Sequence, residues 1–311
     1  MTIDGKNNND KWLRVDLSTP PELTDAVSNF LEEIGAEGIF QEFLVPALSE
    51  TKERTPRECL TAYLPLGQKE DGIAALKNYL GDLILIFPDI VKPTFTVKEV
   101  ASPDWGEEWK KYFHPFRVGK RIIIKPTWEI YTPADDDIVV EIDPGMAFGT
   151  GQHASTIMCL EAMEDIFING AARCDVLDVG TGTGILGIVA AKLGAARVIC
   201  LDIDDKAVEI ACANAILNGV KKSLTIKKGE ISSLRRPFNL ILANLTAKPL
   251  IDLSGKMERL LAPGGFLVIS GIIEQSRQEI EDCFFPSPLH FRRMIKRQEW
   301  LCYIFAKKET P

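Results

Sequence analysis

Past residue 174 the chain settles into an alternation of short apolar runs and longer amphipathic stretches. Strand candidates fall at 175–180, 198–204, 224–230, 238–245 and 264–272, and the most apolar of them, 198–204 and 238–245, read as strands buried on both faces. Between them, 184–194, 205–218, 248–261 and 274–284 carry helical spacing. Such alternation calls for a mostly parallel sheet covered by helices on both sides. Two more strands, 289–296 and 300–306, follow with no helix between them and imply an antiparallel hairpin at one edge.

Before residue 100 the pattern differs. Residues 12–17 alternate like a strand, and Leu23, Val27, Phe30, Leu31 and Ile34 line one face of a helix over 21–34, closed by Gly35. Strands at 38–45 and 59–64, a helix at 69–80 and a strand at 94–100 complete the order βαββαβ, that of a ferredoxin-like α+β fold. Segment 46–58 reads as a polar loop and residues 1–10 as a frayed tail. Residues 104–113 predict a short helix with four aromatics, and residues 121–126 and 138–142 a small β pair. The expected organisation is a ferredoxin-like domain over 1–101, an aromatic-rich linker over 102–120, and a Rossmann-like domain over 121–311.

At 311 residues there is chain enough for two cores. No run approaches ~18 uninterrupted apolar residues, so no membrane span is expected, and residues 1–10 lack the apolar stretch of a secretory signal. The net charge of −8 is uneven: residues 1–100 hold ten Lys and Arg against seventeen Asp and Glu, while the remainder is nearly balanced. An acidic module suits the steering of a basic partner, and equally an ordinary solvated surface. It argues against a broad nucleic-acid footprint on that domain, and no sequence-specific nucleic-acid binding is expected. Seven cysteines, none in a C-x-x-C pair, read as small core residues in a reducing, cytoplasmic setting rather than as metal ligands.

Candidate chemistry starts at residues 176–184, Val-Leu-Asp-Val-Gly-Thr-Gly-Thr-Gly, followed about twenty residues later by a strand ending at Asp202. Glycines at Gly180, Gly182 and Gly184 let the backbone turn sharply and approach a ligand, and an acid at the second strand's tip suits two ribose hydroxyls. Gly182, Gly184 and Gly187 formally satisfy the dinucleotide pattern G-x-G-x-x-G, so NAD has to be weighed. Three features favour S-adenosylmethionine. Asp178, just before the loop, suits a cofactor with an ammonium group and is adverse beside a pyrophosphate. Asn244, at the end of the fourth strand, can offer its side-chain carbonyl to an amine. The terminal hairpin is unusual for a dehydrogenase and common in class I methyltransferases.

Residues 143–156, Asp-Pro-Gly-Met-Ala-Phe-Gly-Thr-Gly-Gln-His-Ala-Ser-Thr, resemble the signature D-P-G-x-A-F-G-T-G-x-H-x-T-T of the ribosomal protein L11 methyltransferases. The likeness also takes in His114-Pro-Phe-Arg, the glycine loop, Asn244-Leu with Pro249-Leu, and Ile269-Ser-Gly-Ile272. It implies a class I fold that binds S-adenosylmethionine and methylates lysine side chains and the N-terminal α-amine of protein L11, with the N-terminal third as substrate domain. Carried over by position, the cofactor contacts would be Thr156, Gly180, Asp202 and Asn244. Ser155 stands where the family usually has threonine, and the hydroxyl is kept.

From the residues, Asn244 and the Leu245 carbonyl are the candidates to hold the reacting amine. His153 either relays a proton or holds the loop by hydrogen bonding. Gly145, Gly149 and Gly151 would let the signature segment fold over the cofactor, Phe148 would pack near it, Asp204 would cap the next helix, and Pro249 would set the start of another. The alternatives are another protein-lysine or small-molecule N-methyltransferase, a non-catalytic S-adenosylmethionine-binding module, and a ribosome-associated binder using Arg292, Arg293, Lys296 and Arg297.

Overall fold

The computed structural model describes residues 11–36, 38–42, 57–66, 69–88, 90–101, 114–142, 151–170 and 174–309. The chain divides into two compact units, Met1–Tyr112 and Phe113–Pro311. The expected loop, tail and aromatic helix lie largely or wholly outside the described residues.

In the first unit β1 (Lys11–Thr19), α1 (Pro21–Glu33), β2 (Gly38–Glu42), β3 (Glu58–Pro65), α2 (Lys69–Ile86) and β4 (Thr94–Ala101) follow one another in the ferredoxin-like order. The sheet runs β2-β3-β1-β4, with every neighbouring pair antiparallel. Alternate residues Leu13, Val15 and Leu17 of β1 join Leu60, Ala62 and Leu64 of β3 in a core closed by Leu23, Val27 and Leu31 of α1 and Leu76 and Leu80 of α2. Helix α2 runs six residues beyond the expected end. Gly81 weakens a helix but does not stop it here, because buried Leu83 carries the apolar face one turn further.

The second unit opens with a three-stranded sheet rather than a pair. β5 (Phe116–Val118) is antiparallel to β6 (Ile122–Lys125), which is parallel to β7 (Ile138–Glu141). Residues 116–118, which the reading above placed in the linker, are strand β5 of this sheet. Next comes α3 (Ala154–Ile168), a helix that periodicity did not reveal. Eleven of its fifteen residues are buried, and a helix that is apolar on nearly every side shows no amphipathic stripe.

The large sheet is built from β8 (Asp175–Val179), β9 (Arg197–Asp202), β10 (Leu224–Lys228), β11 (Phe238–Asn244), β12 (Leu261–Ile273), β13 (Leu289–Arg297) and β14 (Trp300–Lys307). Its order is β10-β9-β8-β11-β12-β14-β13. The first five strands in that order are parallel, and the terminal hairpin adds antiparallel β14 with β13 outermost. Helices α4 (Ile185–Lys192), α5 (Asp205–Leu217), α6 (Ala247–Leu260) and α7 (Arg277–Phe284) provide the crossovers. Alternate residues of one strand serve opposite cores: Val176 meets α3, α4 and the small sheet, whereas Leu177 and Val179 meet α6 and α7. The fold is thus mixed α/β, a mostly parallel seven-stranded sheet with a smaller antiparallel unit before it.

Three of the four basic residues singled out on β13 are committed within the chain. Arg293 pairs with Asp165 at 3.1 Å, Arg297 with Glu161 at 2.5 Å, and Lys296 with Glu274 at 2.7 Å. No helix among the described residues is long and apolar enough to cross a membrane.

Candidate active site

Strand order reverses between β8 and β11, because the chain moves outward through β9 and β10 before crossing back. Crevices at the carboxyl ends of such strands are where α/β sheets bind ligands. Val179 is level with Leu201 on one side and Ala243 on the other, and Asn244 is level with Ser270. One residue on from Val179, this register brings Asp202, Gly180, Asn244 and Ser270 into a row across four strand tips.

Gly180 has φ +70°, and a Cβ there would stand 2.4 Å from Leu245 Cδ2. Glycine is thus required twice over, by backbone angle and by the approach of the neighbouring tip. Its amide and that of Thr181 donate to the Leu201 carbonyl, both at 2.9 Å. Gly182 donates to Asp202 Oδ2 at 2.9 Å, and Oδ1 of the same carboxylate accepts from Asp204 N at 3.1 Å. Asp204 caps α5 through Lys206 N at 3.0 Å, as expected.

Asp178 lies fully buried beneath the loop. Its Oδ2 accepts from the Thr181 hydroxyl at 2.6 Å and from Gly187 N at 3.2 Å, while Oδ1 has no partner among the described residues. Burial pushes this carboxyl up to about 6, against the opposing pull of those two donors. Gly187 is glycine because a Cβ would meet Cys200 Sγ at 2.4 Å.

On the other side of Gly180, Asn244 Nδ2 donates to the Thr156 hydroxyl at 3.2 Å. Leu245 N donates to the Ser270 carbonyl at 3.0 Å. Gly271, at φ +82°, leaves room for the Leu245 carbonyl, which a Cβ would approach to 2.6 Å. The Ser270 hydroxyl donates to the Ser155 carbonyl at 3.1 Å, so β12 also braces the start of α3. Pro249 sits in the first turn of α6, where its missing N–H costs nothing.

His153 is the N-cap of α3. Its Nδ1 accepts from Ser155 N at 3.3 Å and stands 2.6 Å from Ser155 Oγ. Nδ1 being an acceptor, the neutral ring carries its proton on Nε2. The ring is buried edge-on against Trp300, with centroids 4.5 Å apart, and burial holds its pKa down at about 4. The hydroxyl kept at Ser155 is therefore the group that meets His153. Phe148, Gly145 and Gly149 lie outside the described residues. Gly151 is described: at φ +87°, a Cβ would press on Ile124 and Ile185 at 2.8 Å.

The profile of the ribosomal protein L11 methyltransferase (PrmA) family matches residues 11–308. The chain belongs to that family. It is 37% identical over 302 residues to the ribosomal protein L11 methyltransferase of Geobacter sp. strain M21, covering 95% of this chain and 98% of that one. With the relative of the same name from Geobacillus kaustophilus it shares 35% identity over 313 residues, 96% of this chain and 99% of the other. Among solved structures, a ribosomal protein L11 methylase from Lactobacillus delbrueckii subsp. bulgaricus matches at 31% identity and a TM-score of 0.59. That match covers 63% of this chain and all of the other.

Sequence reasoning missed Thr181 as a partner of Asp178, Ser270 as the brace between β12 and α3, and Asn214, whose Nδ2 donates to the Thr183 carbonyl at 2.9 Å. One signal was visible. Asparagine disfavours helix interiors, so Asn214 within a helical run marks a side chain with another task.

Proposed function

We propose that this chain uses S-adenosylmethionine to methylate amino groups of ribosomal protein L11, lysine side chains and the N-terminal α-amine among them. The observation that carries the reading is the row of Asp202, Gly180 and Asn244 across the switch point, with the Thr156 hydroxyl bound to Asn244. The donor set fits the cofactor. A carboxylate for ribose hydroxyls stands beside glycine amides, and Asn244 is bonded through its Nδ2, which among the described residues leaves its Oδ1 for a ligand. Thr156, Gly180, Gly182, Asp202 and Asn244 are assigned as contacts. Asp178 acts through the loop it braces.

When bound, S-adenosylmethionine supplies a methyl group on a sulfonium, a good leaving group. The protein's task is to present a neutral amine in line with it. A primary amine has two N–H groups and one lone pair. Asn244 Oδ1 and the Leu245 carbonyl are two acceptors at one strand tip, and an amine bound to both has its lone pair aimed in a fixed direction. A free lysine has a pKa of about 10.4, and partly apolar surroundings that include Leu245 disfavour its charged form. His153 is assigned to capping α3, since at about 4 it stays neutral through the working range.

We assign the acidic N-terminal unit to recognition of protein L11, whose reacting groups are amines, and place the activity in the cytoplasm. The deciding experiment incubates the protein with labelled S-adenosylmethionine and undermethylated L11 and maps the label by mass spectrometry. Label on L11 amines is expected, and its absence would remove the assignment.

A further inference from the structure

Helix α5 carries two asparagines one turn apart. Asn214 is buried and donates to the Thr183 carbonyl of the glycine loop at 2.9 Å. Asn218, the C-cap, accepts from Glu141 N at 2.9 Å and donates to the Glu141 carbonyl at 2.6 Å. Its Nδ2 also donates to the Asn214 carbonyl at 2.9 Å, which joins the two sets of contacts.

The backbone of β7 shows why Asn218 is placed there. Ile138 N and Ile142 N donate toward β6, to the carbonyls of Arg121 and Lys125 at 2.7 and 3.0 Å. In a strand the intervening residues then turn their polar groups outward. Those groups find side chains in place of a neighbouring strand: Lys192 Nζ donates to the Val139 carbonyl at 2.7 Å, and Asn218 takes both polar groups of Glu141.

Two residues after Glu141 the 143–156 segment begins. The glycine loop lies beyond α3 and β8, yet both regions are hydrogen-bonded to one helix. The first turn of that helix begins three residues after Asp202 and is capped by Asp204.

We infer that Asn214 and Asn218 are a positioning pair, holding the glycine loop and the strand that leads into segment 143–156 at a fixed spacing on helix α5. Neither residue is among those assigned above as cofactor contacts. The pair acts through the loop and the strand, and the inference rests on the pocket assigned above. Its distinguishing consequence is cross-talk, because loosening Asn218 at the strand also loosens the glycine loop.

The test uses the full-length chain and S-adenosylhomocysteine as probe. N218D keeps an acceptor for Glu141 N but sets oxygen against the carbonyls of Glu141 and Asn214. N218S removes the amide without adding charge and replaces N218D if that variant fails to fold. Calorimetric titration is expected to show affinity falling roughly tenfold, the scale of one or two lost hydrogen bonds. Amide exchange should quicken at Gly184, which is bonded to the Thr181 carbonyl at 2.8 Å, as well as at Glu141. Faster exchange at Glu141 with Gly184 unchanged would mean purely local support and would overturn the inference. D202A is titrated alongside. Weakened binding in D202A with N218D unchanged overturns the pairing alone, whereas unchanged binding in both overturns the pocket assignment and the pairing with it.

Discussion

The side-chain amide of Asn244 donates to the hydroxyl of Thr156 at 3.2 Å, so the tip of β11 is fastened to the first turn of α3 across 88 residues of chain. The bond orients the amide and keeps its Oδ1 available to an incoming amine. Replacing Asn244 by alanine is expected to lower turnover by about 100-fold, the usual cost of misplacing a reacting group. Thr156→Val, which keeps shape and loses only the hydroxyl, should cost roughly tenfold. Steady-state kinetics with L11 checks both, and equal, negligible losses would contradict the arrangement.

Asp202 ends β9 with its carboxylate bonded to Gly182 N and Asp204 N. Asp202→Ala should weaken S-adenosylhomocysteine binding by ~10- to 100-fold, as the loss of charge-assisted hydrogen bonds does, while the chain stays folded. Calorimetry and circular dichroism on one sample test the two halves together.

His153 and Asp178 make opposite pH predictions in one window. Burial depresses the folded pKa of His153 to about 4, so its contribution to stability is full above its unfolded value near 6.5 and is lost as pH falls toward 4. Burial raises the folded pKa of Asp178 to about 6, so its contribution is full below its unfolded value near 3.9 and is lost as pH rises through 6. Each is on the order of 3 kcal/mol, and between pH 4 and 6 they largely cancel. His153→Gln should therefore leave stability that falls with rising pH across that window. Asp178→Asn should leave stability that climbs across it, with a higher melting temperature at pH 8. Denaturant titrations over a pH series measure both, and parallel curves for all three proteins would contradict the assignment.

Glu164 is buried and accepts the backbone amides of Lys120 and Arg121 at 2.6 and 2.8 Å. A Cβ at Gly119, where φ is +61°, would stand 2.2 Å from its Oε2. Gly119→Ala is expected to cost about 2 kcal/mol or more, through strain and the displaced carboxylate. Glu164→Gln should cost about 1–3 kcal/mol, since one amide is left without its acceptor. Urea denaturation reads both values.

Strands β8, β9 and β11 were legible because strands buried on both faces leave apolar runs, whereas β10, an edge strand reading Leu-Thr-Ile-Lys-Lys and largely exposed, was legible only from its place in the alternation of strands and helices. That Gly180 and Asp202 stand at neighbouring strand tips was legible because a glycine turn and a strand-end acid carry their reasons with them, whereas Ser270 gave no such signal. Helix α3 was hidden by the depth of its burial. The three-stranded sheet read as two strands because Phe116–Val118 is too short to show a period. The part played by Asn214 and Asn218 depends on which carbonyls the fold brings to them, and spacing alone does not supply that.

The outward edge of β7 ends in side chains. A strand with free amides and carbonyls along one side is a template on which a strand of another molecule can add. Lys192 and Asn218 occupy the Val139 carbonyl and both polar groups of Glu141 with an ammonium and an amide, neither of which continues a strand ladder. For the small sheet to grow, an incoming chain would first have to displace both. The hydrogen bonds that fix the lead-in strand thus also guard this edge against aggregation.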